Sequence, residues 1–248
     1  MDMKTGRYRI TGMKFFLVLL IFSCRFTKIH GQDIPAAHQK FVSFPYPMDN
    51  YWRSSLGFSL TTLAQDVTEE QHLRVPCGDF HVLRKLSHNT HLDRKVNFQF
   101  FQNMITIGPR WAFPLNPRLS MSVGNDIGWW FGFLNVEGFK TKGNGWQNYP
   151  NVSLGYRFNK RILLTVKGEA IMTLSVKART GDVPVTSNHR LFSGSSFTAT
   201  LEQPFYGNKS LSLGFRFIYT DFFWQTWALF ETFDRNIFYP QLQIGFIF

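Results

Sequence analysis

The chain has 248 residues, of which 44% are hydrophobic and 17% are charged, and its formal net charge is +11. A bundle of membrane-spanning helices would be more apolar, and a disordered chain would carry more charge. The basic residues form no dense run, so the electrostatic footprint of a nucleic-acid-binding protein is missing and no nucleic-acid partner is expected. Aromatic residues make up 17% of the chain, more than a soluble core needs, and a membrane interface accommodates such residues well.

Residues 1–31 are predicted to be a cleaved signal peptide. Basic residues precede a short apolar run at 15–22, whereas a membrane-spanning helix needs about 20 apolar residues. Cleavage near Gly31 is favoured, and lipidation at Cys24 is the alternative. Residues 32–50 would then form a periplasmic segment and residues 51–248 the folded domain. Removing the leader would also leave Cys77 unpaired, so no disulfide framework is expected.

Along residues 51–248, apolar side chains alternate with small or polar ones, which is the period of a β-strand with two different faces. The segment 210–219 shows this most clearly, because leucine, phenylalanine and tyrosine occupy every second position from 211 to 219, and serine, glycine or arginine occupy 210, 212, 214 and 216. Eight strands are predicted in chain order, at 51–64, 96–113, 118–133, 149–158, 162–175, 194–206, 209–225 and 238–248.

The predicted connections are alternately short and long. Tight turns are expected at 116–118, 159–161 and 207–209, where Asn, Gly or Pro supplies the turn geometry. Longer polar segments are expected at 65–95, 134–148, 176–192 and 226–237. Short turns on one side and long loops on the other are typical of outer-membrane barrels. The segment 65–95 is long enough to contain a further hairpin around 80–86, so ten strands are the alternative to eight.

Aromatic residues near the two ends of the predicted strands indicate two interfacial girdles, as a bilayer selects. The residues assigned to the girdles are Trp111, Tyr156 and Phe205 near the short turns and Trp129, Trp130, Phe222 and Trp224 near the long loops. A soluble β-sandwich would explain neither these bands nor the rhythm of the connections.

The last strand ends in alternating apolar residues, Leu242, Ile244, Phe246 and the terminal Phe248. This ending resembles the C-terminal β-signal of outer-membrane proteins. With the leader and the strand pattern, the chain resembles the small bacterial outer-membrane β-barrels of the OmpX and OmpA-barrel group. The resemblance implies an all-β, antiparallel up-and-down barrel in the outer membrane, in contact with its lipids and lipopolysaccharide. It also implies that the barrel assembly machinery recognises the terminal strand.

Strand parity predicts a network of charges inside the barrel, consisting of Arg110, Asp126, Arg157, Lys167, Glu169, Glu202 and Arg216. Unpaired charges in a confined space are costly, so these residues are expected to pair and fill the lumen. The favoured function is a plugged, non-enzymatic barrel whose loops act in envelope integrity, adhesion or binding of an unknown partner.

The alternative function is a narrow channel for small or apolar solutes, and a lipid A-modifying enzyme is the third hypothesis. The histidines all fall outside the predicted strands. No catalytic residue, metal or cofactor is expected.

Overall fold

The computed structural model describes residues 39–68, 73–136, 139–158, 161–185, 189–206, 209–229 and 235–248, without the side chains of 136–139. The predicted signal peptide, with its cleavage and lipidation positions, lies outside the described residues. So do parts of two predicted tight turns, at 159–160 and 207–208.

The described chain is almost entirely β-structure. Its strands are β1 (Trp52–Thr62), β2 (Arg74–Lys85), β3 (Thr90–Phe98), β4 (Gln102–Pro114), β5 (Leu119–Val136), β6 (Phe139–Arg157), β7 (Leu163–Thr180), β8 (Val183–Val185), β9 (Phe192–Pro204), β10 (Ser210–Thr220) and β11 (Ile237–Ile247). Two short helical segments are α1 (Gln65–Thr68) and a 3-10 helix (Trp224–Leu229).

The strands form a closed antiparallel barrel. Each barrel strand pairs with the next, and β1 pairs with β11 from Ser55 opposite Ile247 to Thr61 opposite Gln241. The ring therefore contains ten strands, and the short β8 pairs with the end of β7 outside the ring. Because the number of barrel strands is even, the first strand begins, at Trp52, at the same end of the barrel at which the last strand ends, at Ile247.

The prediction of eight strands is wrong, and the alternative of ten is the one observed. The hairpin β2–β3 occupies 74–98, of which 74–95 were predicted as a loop and 96–98 as the start of the next strand, and residues 99–101 separate β3 from β4. The alternation of apolar and polar residues does not predict these two strands, because charged residues lie on both faces of the hairpin. Asp79 and Asp93 point into the barrel, while Arg84 and Arg94 lie on the other parity.

Two other segments predicted as loops continue the strands. β5, β6 and β7 are 18, 19 and 18 residues long, whereas the other barrel strands have between 9 and 13. The extra length lies on the side of the barrel predicted to carry long loops, here called the long-loop end. The opposite side, with turns such as 115–118, is the short-turn end. In β6 the extension at 140–145 consists of lysine, threonine, asparagine and glycine on both faces, so the apolar alternation is missing there.

The barrel is apolar outside and polar inside. Among the described residues, 28 polar or charged residues are buried against 22 hydrophobic ones, while large hydrophobic side chains are exposed on every barrel strand. In β1, for example, Arg53, Ser55 and Ser59 are buried, whereas Leu56 and Phe58 are about half exposed. This is the reverse of a soluble protein and the arrangement that a lipid environment stabilises.

Candidate functional site

The candidate functional site is the lumen, whose wall is built from small polar side chains. Small side chains on the inner face leave space that larger ones would fill. The buried inward residues of this kind include Ser55, Ser59, Ser120, Ser122, Ser153, Thr165, Thr200 and Ser210.

Four inward side chains form the first charge cluster, Asp126, Lys167, Glu169 and Arg216. The ammonium group of Lys167 lies 2.6 Å from Glu169 Oε1 and 3.6 Å from Asp126 Oδ2. The guanidinium of Arg216 donates to Glu169 Oε2 at 2.7 Å. Two positive and two negative charges therefore balance, which offsets part of the cost of holding them away from bulk water.

The second charge cluster lies around Asp93 on β3. Its carboxylate is 2.7 Å from His81 Nε2, 3.5 Å from Arg110 and 4.0 Å from Lys95. Of these four residues the sequence predicted only Arg110, because the other three fall in the unrecognised β2–β3 hairpin. The expectation that no histidine lies in a strand is likewise wrong, since His81 is on β2 and His91 on β3.

Residues 41–48 occupy the lumen at the short-turn end and form the N-terminal plug. The carboxylate of Glu202 accepts hydrogen bonds from three consecutive backbone amides, those of Val42, Ser43 and Phe44, at 2.8, 2.9 and 2.9 Å. Arg110 donates to the carbonyl of Val42 at 2.9 Å from the opposite direction. One carboxylate thus satisfies three backbone donors that would otherwise be buried without partners.

Apolar contacts also hold the N-terminal plug. Phe41, Phe44 and Met48 are buried and pack with Leu83 and Leu163 of the barrel wall. A Cβ atom on Gly155 would lie 2.6 Å from atoms of both Phe44 and Pro45, so this wall position must remain a glycine for the plug to sit against it. The described part of the segment predicted to be periplasmic, 39–50, therefore includes the residues that enter the barrel.

An aromatic cap, consisting of Phe222, Phe223, Trp224 and Trp227, packs inside the barrel at the long-loop end. The cap packs on the inward Trp130 of β5, whose ring centroid is 5.5 Å from that of Phe222 and 6.1 Å from that of Trp227. Two wall glycines receive the indole of Trp227: a Cβ on Gly132 or on Gly143 would approach it to 2.6 or 2.5 Å. The wall is therefore shaped to fit this side chain.

A cavity of about 160 Å³ remains between the plug and the cap. Val42 and Ser43 line it from the plug, and Phe222, Phe223 and Trp224 line it from the cap. Both charge clusters contribute to its wall. The cavity is therefore polar and charged along its sides and apolar at the long-loop end.

The seven charges predicted for the lumen do not form a single network. Asp126, Lys167, Glu169 and Arg216 lie together in the first charge cluster. The other three lie apart from it: Arg110 joins the second cluster and the plug, Glu202 binds the plug, and Arg157 is buried in β6 with 4% exposure.

The predicted girdles need correction. Trp111, Trp129 and Phe205 are outward and exposed, and Tyr156 lies on the outward parity of β6. Trp130 and Trp224 are instead buried at 0% and 7% exposure, and Phe222 packs with them inside the barrel. For Trp130 the physical reason is strand parity, because the neighbours Trp129 and Trp130 cannot both face the same side. Phe222 and Trp224 lie beyond the end of β10, at Thr220, where the chain leaves the barrel wall and packs in the same cluster as Trp130. The residues of the C-terminal motif, Leu242, Ile244, Phe246 and Phe248, are all exposed on the outer face.

No helix among the described residues is long and apolar enough to cross a membrane. No group of three or more His, Cys, Asp or Glu side chains in the described part of the chain is arranged to hold a metal ion.

The sequence matches no protein-family model and no curated protein. The fold is similar to solved outer-membrane barrels. An outer membrane channel from Pseudomonas putida F1 is 7% identical, with 89% of this chain and 100% of that chain covered and a TM-score of 0.48. The KdgM porin is 8% identical, with coverages of 78% and 98% and a TM-score of 0.38. The toluene transporter TodX of Pseudomonas putida is 8% identical, with coverages of 89% and 98% and a TM-score of 0.34. At such identities the similarity says nothing about a ligand.

Proposed function

We propose that this chain is an outer-membrane channel for small polar solutes, closed in the observed conformation by the N-terminal plug and the aromatic cap. The observation that carries the proposal is the charge-lined cavity between two closures that are not part of the barrel wall. The sequence offered as its alternative a narrow channel for small or apolar solutes, and the proposal keeps the channel but restricts the solutes to polar ones.

The membrane location is supported by the outer surface of the barrel. On β6 the outward side chains from Tyr156 to Trp146 span 11 residues and include Leu154 and Val152, which is about the length that a tilted transmembrane strand needs. On β5 the outward side chains from Met121 to Phe131 cover the same length. Export through a signal peptide and assembly through the terminal strand belong to the same proposal.

The way in which the lumen is closed distinguishes a channel from an inert barrel. In a barrel that only spans the membrane, side chains from the strands can fill the interior, as was expected for eight strands. Here the wall beside the plug includes small residues, such as Ser120 and Gly155, and residues 41–48 fill the space that these leave. Movement of the plug and the cap would open a passage without breaking any pairing between barrel strands.

The polar lining supports small hydrophilic solutes over apolar ones. Four carboxylates, Asp79, Asp93, Asp126 and Glu169, and four cations, Lys95, Arg110, Lys167 and Arg216, line the cavity. An apolar solute would have to displace water from these groups without replacing its hydrogen bonds. We propose that the protein acts without catalysis, and that its loops serve the passage of solutes and not primarily adhesion.

Solute flux through reconstituted protein tests the proposal. Proteoliposomes containing the full chain, or a variant that lacks residues 41–48, are transferred into iso-osmotic solutions of sugars or amino acids and their swelling is followed by light scattering. We expect slow swelling with the full chain and faster swelling with the deletion variant. Equal swelling of both and of protein-free liposomes, with the barrel shown to be folded by heat-modifiable migration on a gel, would contradict a channel function.

A further inference from the structure

The outer face of the β6–β7 hairpin carries four exposed cations above the membrane-length part of the barrel. These residues are Lys140 and Lys142 of β6 and Lys177 and Arg179 of β7, here called the basic wall. The last outward aromatic residue below them on β6 is Trp146, which is 44% exposed and pairs across the sheet with Trp129. The basic wall therefore begins where the apolar surface ends.

The pairing of the strands places these cations side by side. Lys142 is the direct partner of Arg179, and Lys177 is the direct partner of Asn144, two residues along the same face. Directly opposed side chains in an antiparallel pair have Cβ atoms about 4.5–5.5 Å apart, and like charges at such positions are destabilising. An anion that lies between the two side chains would remove this repulsion.

No acidic side chain in the described part of the chain pairs with these cations. Among the residues with described side chains, none of the four cations makes an ion pair. The nearest described acidic residue along β7 is Asp182, in the turn that follows the strand. The side chain of Glu137 is outside the described part. All the acidic residues within the described barrel strands lie on inward positions.

We infer that the basic wall binds the phosphate groups of lipid A in the outer leaflet. Since barrels of this type expose their longer loops to the cell exterior, the long-loop end lies in that leaflet. Lys142 lies four residues beyond Trp146 along β6, and this places its ammonium group at the level of lipid headgroups and not of acyl chains. Arginine binds phosphate in a bidentate manner, and the neighbouring lysines add compact positive charge.

The length of β5, β6 and β7 also supports a lipid as the molecule bound at the basic wall. Only β5, β6 and β7 extend this far, and their outer face offers exposed Phe133 beside Lys142 as well as the cations. An amphipathic molecule with phosphates at the top and acyl chains below matches a surface that is basic at the top and aromatic below. The inference rests on the membrane location proposed above but not on conductance through the lumen.

Lipid binding by purified full-length protein in detergent micelles tests the inference. Affinity is measured by native mass spectrometry for lipid A with two phosphates and for the same lipid without phosphates. The variant is K142Q with R179Q, and the matched control is R74Q with K209Q, which removes two positive charges outside the basic wall. Every variant is first shown to be folded by heat-modifiable gel migration.

We expect the K142Q/R179Q variant to bind bisphosphorylated lipid A at least tenfold more weakly than the unmodified chain, and the control variant to stay within twofold. We also expect a tenfold preference for the phosphorylated lipid and no displacement by millimolar inorganic phosphate. Equal affinity in both variants, equal affinity for both lipids, or full displacement by inorganic phosphate would each overturn the inference. The rate of liposome swelling is expected to be unchanged in K142Q/R179Q, so a negative result for lipid A binding can be distinguished from a failure of the channel proposal.

Discussion

Replacing Glu202 by glutamine should release the N-terminal plug. In the structure both carboxylate oxygens accept backbone N–H groups, one from Val42 and Ser43 and the other from Phe44. Glutamine keeps one acceptor oxygen and replaces the other with an NH₂ group, which cannot accept the amide of Phe44. The two remaining hydrogen bonds also lose their charged acceptor.

The size of this effect follows from the contribution of each hydrogen bond. A hydrogen bond to a charged group contributes about 1.5–3 kcal/mol and a neutral one about 0.5–1.5 kcal/mol. Losing one charged bond and weakening two others by about 1 kcal/mol each costs about 3 kcal/mol or more. Since about 1.4 kcal/mol corresponds to a tenfold change in an equilibrium constant, the undocked population should rise on the order of 100-fold. Glu202 is 1% exposed, so solvent screening reduces this little.

The assay is the rate at which a thiol reagent labels a cysteine placed in the plug by Ser43→Cys, with Cys24 and Cys77 replaced by serine. If labelling proceeds through rare undocking, its rate is proportional to the undocked population. We expect labelling about 100-fold faster with Glu202→Gln, and an unchanged rate with Gln203→Asn at the neighbouring exposed position. Equal rates for Glu202→Gln and its parent would refute the assignment of Glu202 as the anchor of the plug.

Three further changes test other parts of the structure. Trp227→Ala removes the indole that packs against Gly132 and Gly143, which costs about 3–5 kcal/mol of packing free energy. The variant should increase the fraction of time that the channel is open in bilayer recordings, whereas the control Trp129→Ala should not. Glu169→Gln leaves Lys167 and Arg216 without their shared carboxylate. The free energy of unfolding measured by urea denaturation should therefore fall by about 3 kcal/mol, and an unchanged value would contradict the ion-pair cluster. Phe248→Ala should lower the yield of heat-modifiable barrel in outer-membrane fractions, and an undiminished yield would remove Phe248 from the assembly signal.

The sequence predicted the class of fold because alternation is strong where one face meets lipid. In β10 every outward position from Leu211 to Tyr219 is leucine, phenylalanine or tyrosine, whereas the inward positions from Ser210 to Arg216 are serine, glycine or arginine. The hairpin β2–β3 was assigned to a loop, although it contains the acidic centre of the second charge cluster, Asp93. A charged residue on the outer parity, such as Arg94, interrupts the pattern on which strand prediction depends.

The closures of the lumen could not be read from the sequence. Residues 41–48 show no strand or helix period, and their main anchor, Glu202, is about 160 residues away in the chain. By contrast, the inward position of Trp130 was available from parity alone. Trp129 and Trp130 are neighbours in one strand, so one of them had to face the lumen. That signal could have revealed an aromatic lining at the long-loop end.

Single-channel recording in planar lipid bilayers tests the central claim most directly. We expect the full chain to show a closed baseline with brief openings. Deletion of residues 41–48 combined with Trp227→Ala should produce a long-lived open level, because both closures of the lumen are then weakened. A folded, membrane-inserted double variant that carries no current above that of protein-free bilayers would contradict the channel proposal.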